Sequence, residues 1–151
     1  MTPVKALIFI DASVFIAAAG SPAGGSALLL DICKGSQYAA ICSQRVLLEA
    51  QTNIRDKLPA EALVRFYVLL AAASPSLIPA VTPDEEMPYY ELVTAKDAHV
   101  VASAVKGGAH FLVTLDRKHL ANETVREAGL PVQVMTPGDF LQSVCRRASA
   151  G

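Results

Sequence analysis

The sequence predicts a single α/β domain, a three-layer α/β/α sandwich around a mostly parallel sheet. Short apolar runs rich in Ile, Val and Phe, such as 6–10 and 111–115, have the length and composition of strands that are buried on both faces. Segments with helical patterning alternate with these runs, and this alternation is typical of a parallel sheet covered by helices. We therefore expect one domain at 1–148, followed by a short flexible tail at 149–151.

The amino-terminal half provides three strands and four helices. Ser43 has the side chain of a helix cap, and the helix after it runs to about Lys57. A further helix ends before Ser74-Pro75, because a proline restricts the residue that precedes it. The predicted order is strand 4–10, a helix from Ser13, a helix at 26–34, strand 38–42, a helix from Ser43, a helix opened by Pro59 and Glu61, and a strand candidate at 76–79.

The carboxyl-terminal half begins and ends its helices with clear local signals. The segment 82–85 has Thr at the cap, Pro at the first position and Glu at the third, and the segment 136–139 repeats this pattern with Asp. The glycine pair 107–108 is a good carboxyl-terminal cap for a helix at 97–106. The predicted order is the helix start at 82–85, the helix at 97–106, strand 110–113, a short helical stretch, strand 132–135 and a last helix from 136–139 through Arg147.

Composition limits the partners and the location of the chain. Hydrophobic residues make up 52% of the 151 residues and charged residues only 18%, so we expect some apolar surface to pack against another chain, as in a homodimer. No apolar run approaches the roughly 18 residues of a membrane span. The first residues also lack the layout of a signal peptide. Together these observations predict a cytoplasmic protein without a membrane partner. The formal net charge of −1 gives no global attraction to nucleic acid, so phosphates would need a local basic patch or a bound metal.

Two aspartates stand at the carboxyl ends of predicted buried strands. Asp11 follows the run 6–10, and Asp116 follows the run 111–115. The carboxyl ends of parallel strands are where open α/β sheets build their ligand sites. These two acids therefore define a site hypothesis before any family is considered.

Two further acids are ambiguous on local pattern. Asp97 begins a helix whose apolar stripe includes Val101 and Val105, so its side chain lies on the face that is expected to be buried. An equally good interpretation is that Asp97 caps the helix. Glu49 lies among apolar residues inside a helix, and it either faces solvent, which the pattern favours, or points into a polar pocket.

Other common catalytic patterns are absent from the sequence. The three histidines, His99, His110 and His119, lack the spacing of a zinc pair on one helix. The glycine pairs lack a phosphate-binding lysine and the dinucleotide spacing, and there is no Gly-x-Ser-x-Gly motif.

The segments that carry these acids resemble a PIN domain. The resemblance rests on the opening 8–13 (IFIDAS), on 96–104 (KDAHVVASA) followed by 107–116 (GGAHFLVTLD), and on the helix 43–49. It covers nearly the whole chain, and the four acids occur in the order found in that family. PIN domains are metal-dependent nucleases, mostly ribonucleases, and many small bacterial ones are VapC-type toxins. The resemblance thus implies a divalent-metal-dependent endoribonuclease with an RNA substrate and a cognate antitoxin.

The resemblance also assigns roles to particular residues. It implies a catalytic and metal-binding set, for Mg²⁺ or Mn²⁺, that consists of Asp11, Glu49, Asp97 and Asp116. Carboxylates suit these ions because both prefer oxygen ligands. Ser13 and Thr114 match positions of supporting hydroxyls, although each could simply cap its own helix or turn. Arg117 and Lys118 could touch RNA, although a solvated basic turn explains them better. His119 departs from the family, since many members have Asp or Asn there.

Two other interpretations remain. A haloacid-dehalogenase-like phosphatase needs Asp-x-Asp after its first strand, and this chain has Ser13 at the second position. A receiver domain needs an acidic pair near that strand and a phospho-accepting Asp, and it fits no better. The second alternative is a PIN fold that binds RNA or a partner without cutting, against which the intact acid set argues.

Overall fold

The computed structural model describes residues 4–150, apart from the side chains of residues 149 and 150. The strands are β1 (Ala6–Ile10), β2 (Tyr38–Ser43), β3 (Ser76–Ile78), β4 (Phe111–Val113) and β5 (Gln133–Met135). The helices are α1 (Ala12–Gly20), α2 (Gly25–Ile32), α3 (Gln44–Lys57), α4 (Ala60–Ala73), α5 (Pro83–Glu86), α6 (Ala95–Lys106), α7 (Glu123–Glu127) and α8 (Pro137–Ala150), with a 3₁₀ turn at Met87–Tyr89.

The five strands form one parallel sheet in the order β3-β2-β1-β4-β5. The first strand is central, since β1 pairs with β2 on one side and with β4 on the other. Strand order therefore reverses direction between β1 and β4, and in open α/β sheets a ligand crevice lies at such a switch point. The two strands that precede Asp11 and Asp116 are the two that flank this point.

Helices cover both faces of the sheet, which confirms the predicted fold class. Helix α1 packs on α2, α3 and α4, whereas α6 packs on β2, β4 and α5. The core is continuous from the fully buried residues of β1 to α1 and α8, where Phe9, Phe15 and Phe140 are among its largest side chains. A core of this extent fixes the ends of β1 and β4 and hence the side chains that follow them.

Local capping signals act as the sequence predicts. The Ser43 hydroxyl accepts a hydrogen bond from the Val46 N–H at 3.1 Å. Thr82 and Glu85 form a reciprocal capping box at the start of α5. At the end of α6, Gly108 adopts the left-handed backbone (φ 69°) that favours glycine. These predicted helix boundaries are confirmed.

Several other boundaries shift by one to three residues. β1 begins at Ala6, because Val4 and Lys5 precede the first paired residue, and α6 begins at Ala95. α8 continues through Ala150. Residues 1–3 and Gly151, the end of the predicted tail, lie outside the described residues.

Within residues 4–150, no single helix has the length and apolar character that crossing a membrane requires. The pair α1 and α2 meets the criteria together, but the two helices are bent by 111° relative to each other.

Candidate metal centre

The four predicted acids line one small cavity at the carboxyl edge of the sheet. The cavity has a volume of about 190 Å³. Asp11 comes from the end of β1, Glu49 from α3, Asp97 from the first turn of α6, and Asp116 from the loop after β4. Four separate elements thus bring carboxylates to one place. If each acid only capped a helix or faced solvent, the four would have no reason to converge.

Asp11 is the most buried of the four acids. Its side chain is 8% exposed, and it follows β1 at the N-cap of α1 without capping that helix through its side chain. Ser13 Oγ and Thr114 Oγ1 both donate to the same carboxylate oxygen, Oδ2, at 2.9 and 2.7 Å. Burial raises the pKa of Asp11 despite these hydrogen bonds, and the charge of Asp97 raises it further. Asp11 is therefore a carboxylate whose ionised form is costly unless a cation faces it.

The two supporting hydroxyls connect the end of β4 to the start of α1. Ser13 Oγ accepts a hydrogen bond from the Leu115 N–H at 3.0 Å, and Thr114 Oγ1 accepts one from the Asp116 N–H at 3.1 Å. Each hydroxyl therefore donates to Asp11 and accepts from the backbone beside Asp116. This arrangement fixes the two strand-end acids relative to each other.

Glu49 faces the cavity from the middle of α3. The pKa of Glu49 is raised, first by burial and then by the negative charge of Asp11, while the nearby Lys96 opposes the shift. Of the two orientations that the pattern left open, the structure adopts the one towards the polar pocket. The helix phase alone favoured solvent, because it carries no information on what lies opposite the helix.

Asp97, Asp116 and His119 form the tightest cluster of potential ligands. One ligand atom from each lies within 4.8 Å of the other two. Thr94 Oγ1 donates to Asp97 Oδ2 at 2.7 Å. The His119 N–H donates to Asp116 Oδ1 at 2.9 Å, and the imidazole Nδ1 lies 3.1 Å from Asp116 Oδ2. His119, which departs from the family pattern, is therefore placed where it can contribute a ligand.

The cation that borders the acid cavity is Lys96, which the sequence pattern did not single out. Arg117 and Lys118 are exposed and do not border the acid cavity, whereas Lys96 does. Lys96 directly precedes Asp97, which is the one signal in the sequence that could have identified it.

The donor set fits a divalent cation. Within the described chain, the cavity combines four carboxylates with one lysine, so without a cation its ionised groups repel each other. Carboxylate oxygens are the ligands that Mg²⁺ and Mn²⁺ prefer, and Mg²⁺ needs only one or two of them besides water. Asp97, Asp116 and His119 lie close enough together to hold such an ion, and Asp11, on the same cavity, would complete the set.

A larger cavity, of about 740 Å³, lies elsewhere, beside the edge strand β5. It contains none of the predicted site residues, and its single carboxylate, that of Asp139, lies 3.7 Å from Arg126. The size of a cavity therefore does not indicate where the acid site lies in this protein.

The fold and the acid cavity define a PIN domain. A family model described as a PIN domain matches residues 7–118, which is most of the chain, and the protein belongs to that family. This match separates it from the phosphatase and receiver classes. No match to the chain is found among curated proteins.

Three solved structures share this fold. The structure of PAE2754 from Pyrobaculum aerophilum is similar with a TM-score of 0.62 and 18% identity, over 95% of this chain and 99% of that one. VapBC-5 from Mycobacterium tuberculosis, a member of a family of toxin-antitoxin systems, gives a TM-score of 0.53 and 17% identity over 87% and 99% of the two chains. VapC20 from the same organism, a toxin that cleaves the sarcin-ricin loop, gives 0.50 and 22% over 70% and 86%.

Proposed function

We propose that this protein is a divalent-metal-dependent endoribonuclease and the toxin of a type II toxin-antitoxin pair. The convergence of Asp11, Glu49, Asp97 and Asp116 on one cavity is the observation that carries the proposal. Membership of the PIN family and the toxin titles of similar structures support it.

The acids divide between two parts in the proposed reaction. Asp11, Asp97 and Asp116 would hold Mg²⁺ or Mn²⁺, and His119 would add a nitrogen ligand. A bound divalent ion supplies activation of water and neutralises charge on the leaving oxygen. Glu49 orients the attacking water and accepts its proton, for which a raised pKa is suited. Ser13 and Thr114 position Asp11 by donating to one of its oxygens.

Lys96 is the cation best placed to contact the substrate phosphate. It borders the acid cavity and lies close enough for its charge to act on Glu49. A cation here compensates part of the negative potential that four acids direct at RNA. Arg117 and Lys118, on the loop that follows β4, extend this contact to the flanking backbone.

The partners we propose are an antitoxin protein and a second copy of the chain, in the cytoplasm. An antitoxin is supported by the toxin-antitoxin title of VapBC-5. A second copy is supported by the outer face of α4, where Val64, Tyr67 and Val68 are exposed.

An RNA cleavage assay of the variant Asp11→Asn tests the proposal. We expect cleavage of single-stranded RNA in Mg²⁺ or Mn²⁺ to fall by about a thousandfold, since several kcal/mol of charge stabilisation is lost. The matched control is Asp139→Asn, which removes a carboxylate from α8 outside the acid cavity and should cut like the wild type.

Two results would contradict the proposal. One is full activity of Asp11→Asn, and the other is undiminished cleavage by the wild type in excess chelator. Binding of RNA and Mn²⁺ without cleavage by the wild type would instead establish the binding module.

A further inference from the structure

A second cavity, of about 290 Å³, adjoins the acid cavity. His99 lines both cavities, so the two meet at this side chain. The second cavity is lined by Ser43, Gln44, Arg45, His99, Ser103 and the segment 77–81. A molecule that entered it from the acid side would therefore keep one end beside the carboxylates.

The walls of this cavity combine an apolar surface with a few polar groups. The segment 77–81, which follows β3, supplies Leu, Ile, Pro, Ala and Val. Ser103 lies one turn after His99 on α6, and Arg45 lies one turn before Glu49 on α3. Arg45 is largely exposed at the rim, held only by a 3.4 Å contact with Glu86. Such a mixture suits a flat, partly apolar ring with polar edges that is attached to an anionic chain.

His99 carries an unpartnered polar atom in this wall. Its side chain is 4% exposed, and Nδ1 is buried without a hydrogen-bond partner among residues 4–150. Most buried polar atoms in proteins are hydrogen-bonded, and one that is not loses free energy that a ligand can restore. Protein atoms cover Nδ1 in the free protein, so a base that pairs with it must turn the imidazole towards the cavity.

We propose that this cavity, the base pocket, binds the nucleobase of an unpaired RNA nucleotide next to the cleaved phosphodiester. The proposal rests on the proposed function, since it assumes that the phosphate lies over the acids. The base would pack on the segment 77–81 and meet His99 with a polar edge, while Arg45 contacts the next phosphate. RNA-binding proteins read sequence mainly from such splayed bases, because bases inside a helix are inaccessible. The pocket would therefore set the cleavage preference.

Nuclear magnetic resonance titration with the four nucleoside 5′-monophosphates tests the base pocket, in Mg²⁺ so that the acids do not repel the phosphate. We expect at least one nucleotide to shift the backbone amide resonances of Ser103 and of the segment 77–81. The best nucleotide should bind up to about tenfold more tightly than the weakest one, because one hydrogen bond allows a difference of that size. Ribose 5-phosphate is the control ligand because it lacks the base. Equal shifts with ribose 5-phosphate, or no shifts in these residues with any of the five ligands, would overturn the proposal.

Two variants separate the base pocket from the rest of the site. Ala80→Trp fills the pocket from its exposed side, and the matched control Ala128→Trp adds the same ring at an exposed position on none of these walls. Ala80→Trp should abolish the base-dependent shifts, and Ala128→Trp should retain them; the reverse, or loss in both, would contradict the proposal. His99→Phe keeps the ring and removes its nitrogens, so binding should persist with the difference among bases reduced.

The same variants distinguish a failure of the base pocket from a failure of the nuclease. Mn²⁺ affinity of Ala80→Trp should equal that of the wild type, because no carboxylate is changed. If the nucleotides bind as expected but the wild type cuts no RNA, the proposed function fails and the pocket stands only as a nucleotide-binding site. If the wild type cuts RNA and Ala80→Trp cuts with an unchanged base preference, the pocket fails alone.

Discussion

The two edges of the parallel sheet are built in opposite ways. At the carboxyl edge, carboxylates from four elements face one cavity, and burial raises the pKa values of Asp11 and Glu49. At the amino edge, turns close with well-formed hydrogen bonds, such as the one from the Leu7 N–H to His110 Nδ1 at 2.9 Å. The Ala109 N–H likewise reaches back to the Ala104 carbonyl at 3.0 Å after α6 ends.

This difference separates stability from function within one sheet. Uncompensated charge lowers stability, so it persists where a ligand can neutralise it. The amino edge carries no such charge cluster in the described residues, and its hydrogen bonds fix the strands whose other ends hold the acids. Substitutions at the two edges should therefore have different consequences.

Among the substitutions that compare the two edges, removal of a positioning hydroxyl should give the largest change. Thr114→Val loses the hydrogen bond to Asp11 and leaves the Asp116 N–H without its acceptor. We expect Mn²⁺ affinity in isothermal titration calorimetry to fall by about 10- to 100-fold, as for other residues that orient metal ligands. The control Thr114→Ser keeps the hydroxyl and should bind nearly normally; equal affinities for the two variants would remove the positioning role.

A substitution at the amino edge should lower stability alone. Gly108→Ala forces a side chain into the left-handed region, and no neighbour lies within 4 Å to clash with it. The expected loss is about 1–2 kcal/mol in the free energy of unfolding, measured by denaturant titration, with Mn²⁺ affinity unchanged.

Gly138→Ala is the control for that substitution. It places a methyl group in α8 at a glycine without positive φ and should be neutral or slightly stabilising. A drop in Mn²⁺ affinity for Gly108→Ala would show that the two edges are coupled.

The smallest expected effect is a gain in stability at the carboxyl edge. Folding raises the pKa of the Asp11 carboxyl because it buries the group. Above the raised pKa, the buried charge therefore destabilises the metal-free protein. As the pH falls towards the ordinary pKa of an aspartate, protonation removes this cost. Asp11→Asn should therefore unfold a few degrees higher than the wild type at neutral pH in chelator, with the difference shrinking near about pH 4. A lower unfolding temperature for the variant at neutral pH would contradict this electrostatic account.

Sequence reasoning predicted best what is decided locally. The caps at Ser43 and at the Thr82 turn depend on hydrogen bonds within a few residues, and both are confirmed. The start of β1 was placed two residues early because an apolar run does not reveal where pairing begins. The strand order depends on pairing between distant segments, and the sequence analysis did not predict it.

The site was predicted in part for the same reason. Strand ends identify Asp11 and Asp116, while Glu49 needed the family resemblance because its neighbours in the chain say nothing about the cavity it faces. Lys96 and His119 were missed as members of the site, and the position of His99 between two cavities depends on packing of α6 against distant segments. These features arise from tertiary contacts that no local pattern contains.

The most direct test of the metal centre is the position of Mn²⁺ in anomalous diffraction from crystals of the protein grown with that ion. The account predicts a peak at the carboxyl edge, beside the carboxylates of Asp11, Asp97 and Asp116. A cavity without a peak at saturating Mn²⁺, or a peak held only by acids outside it, would contradict the account.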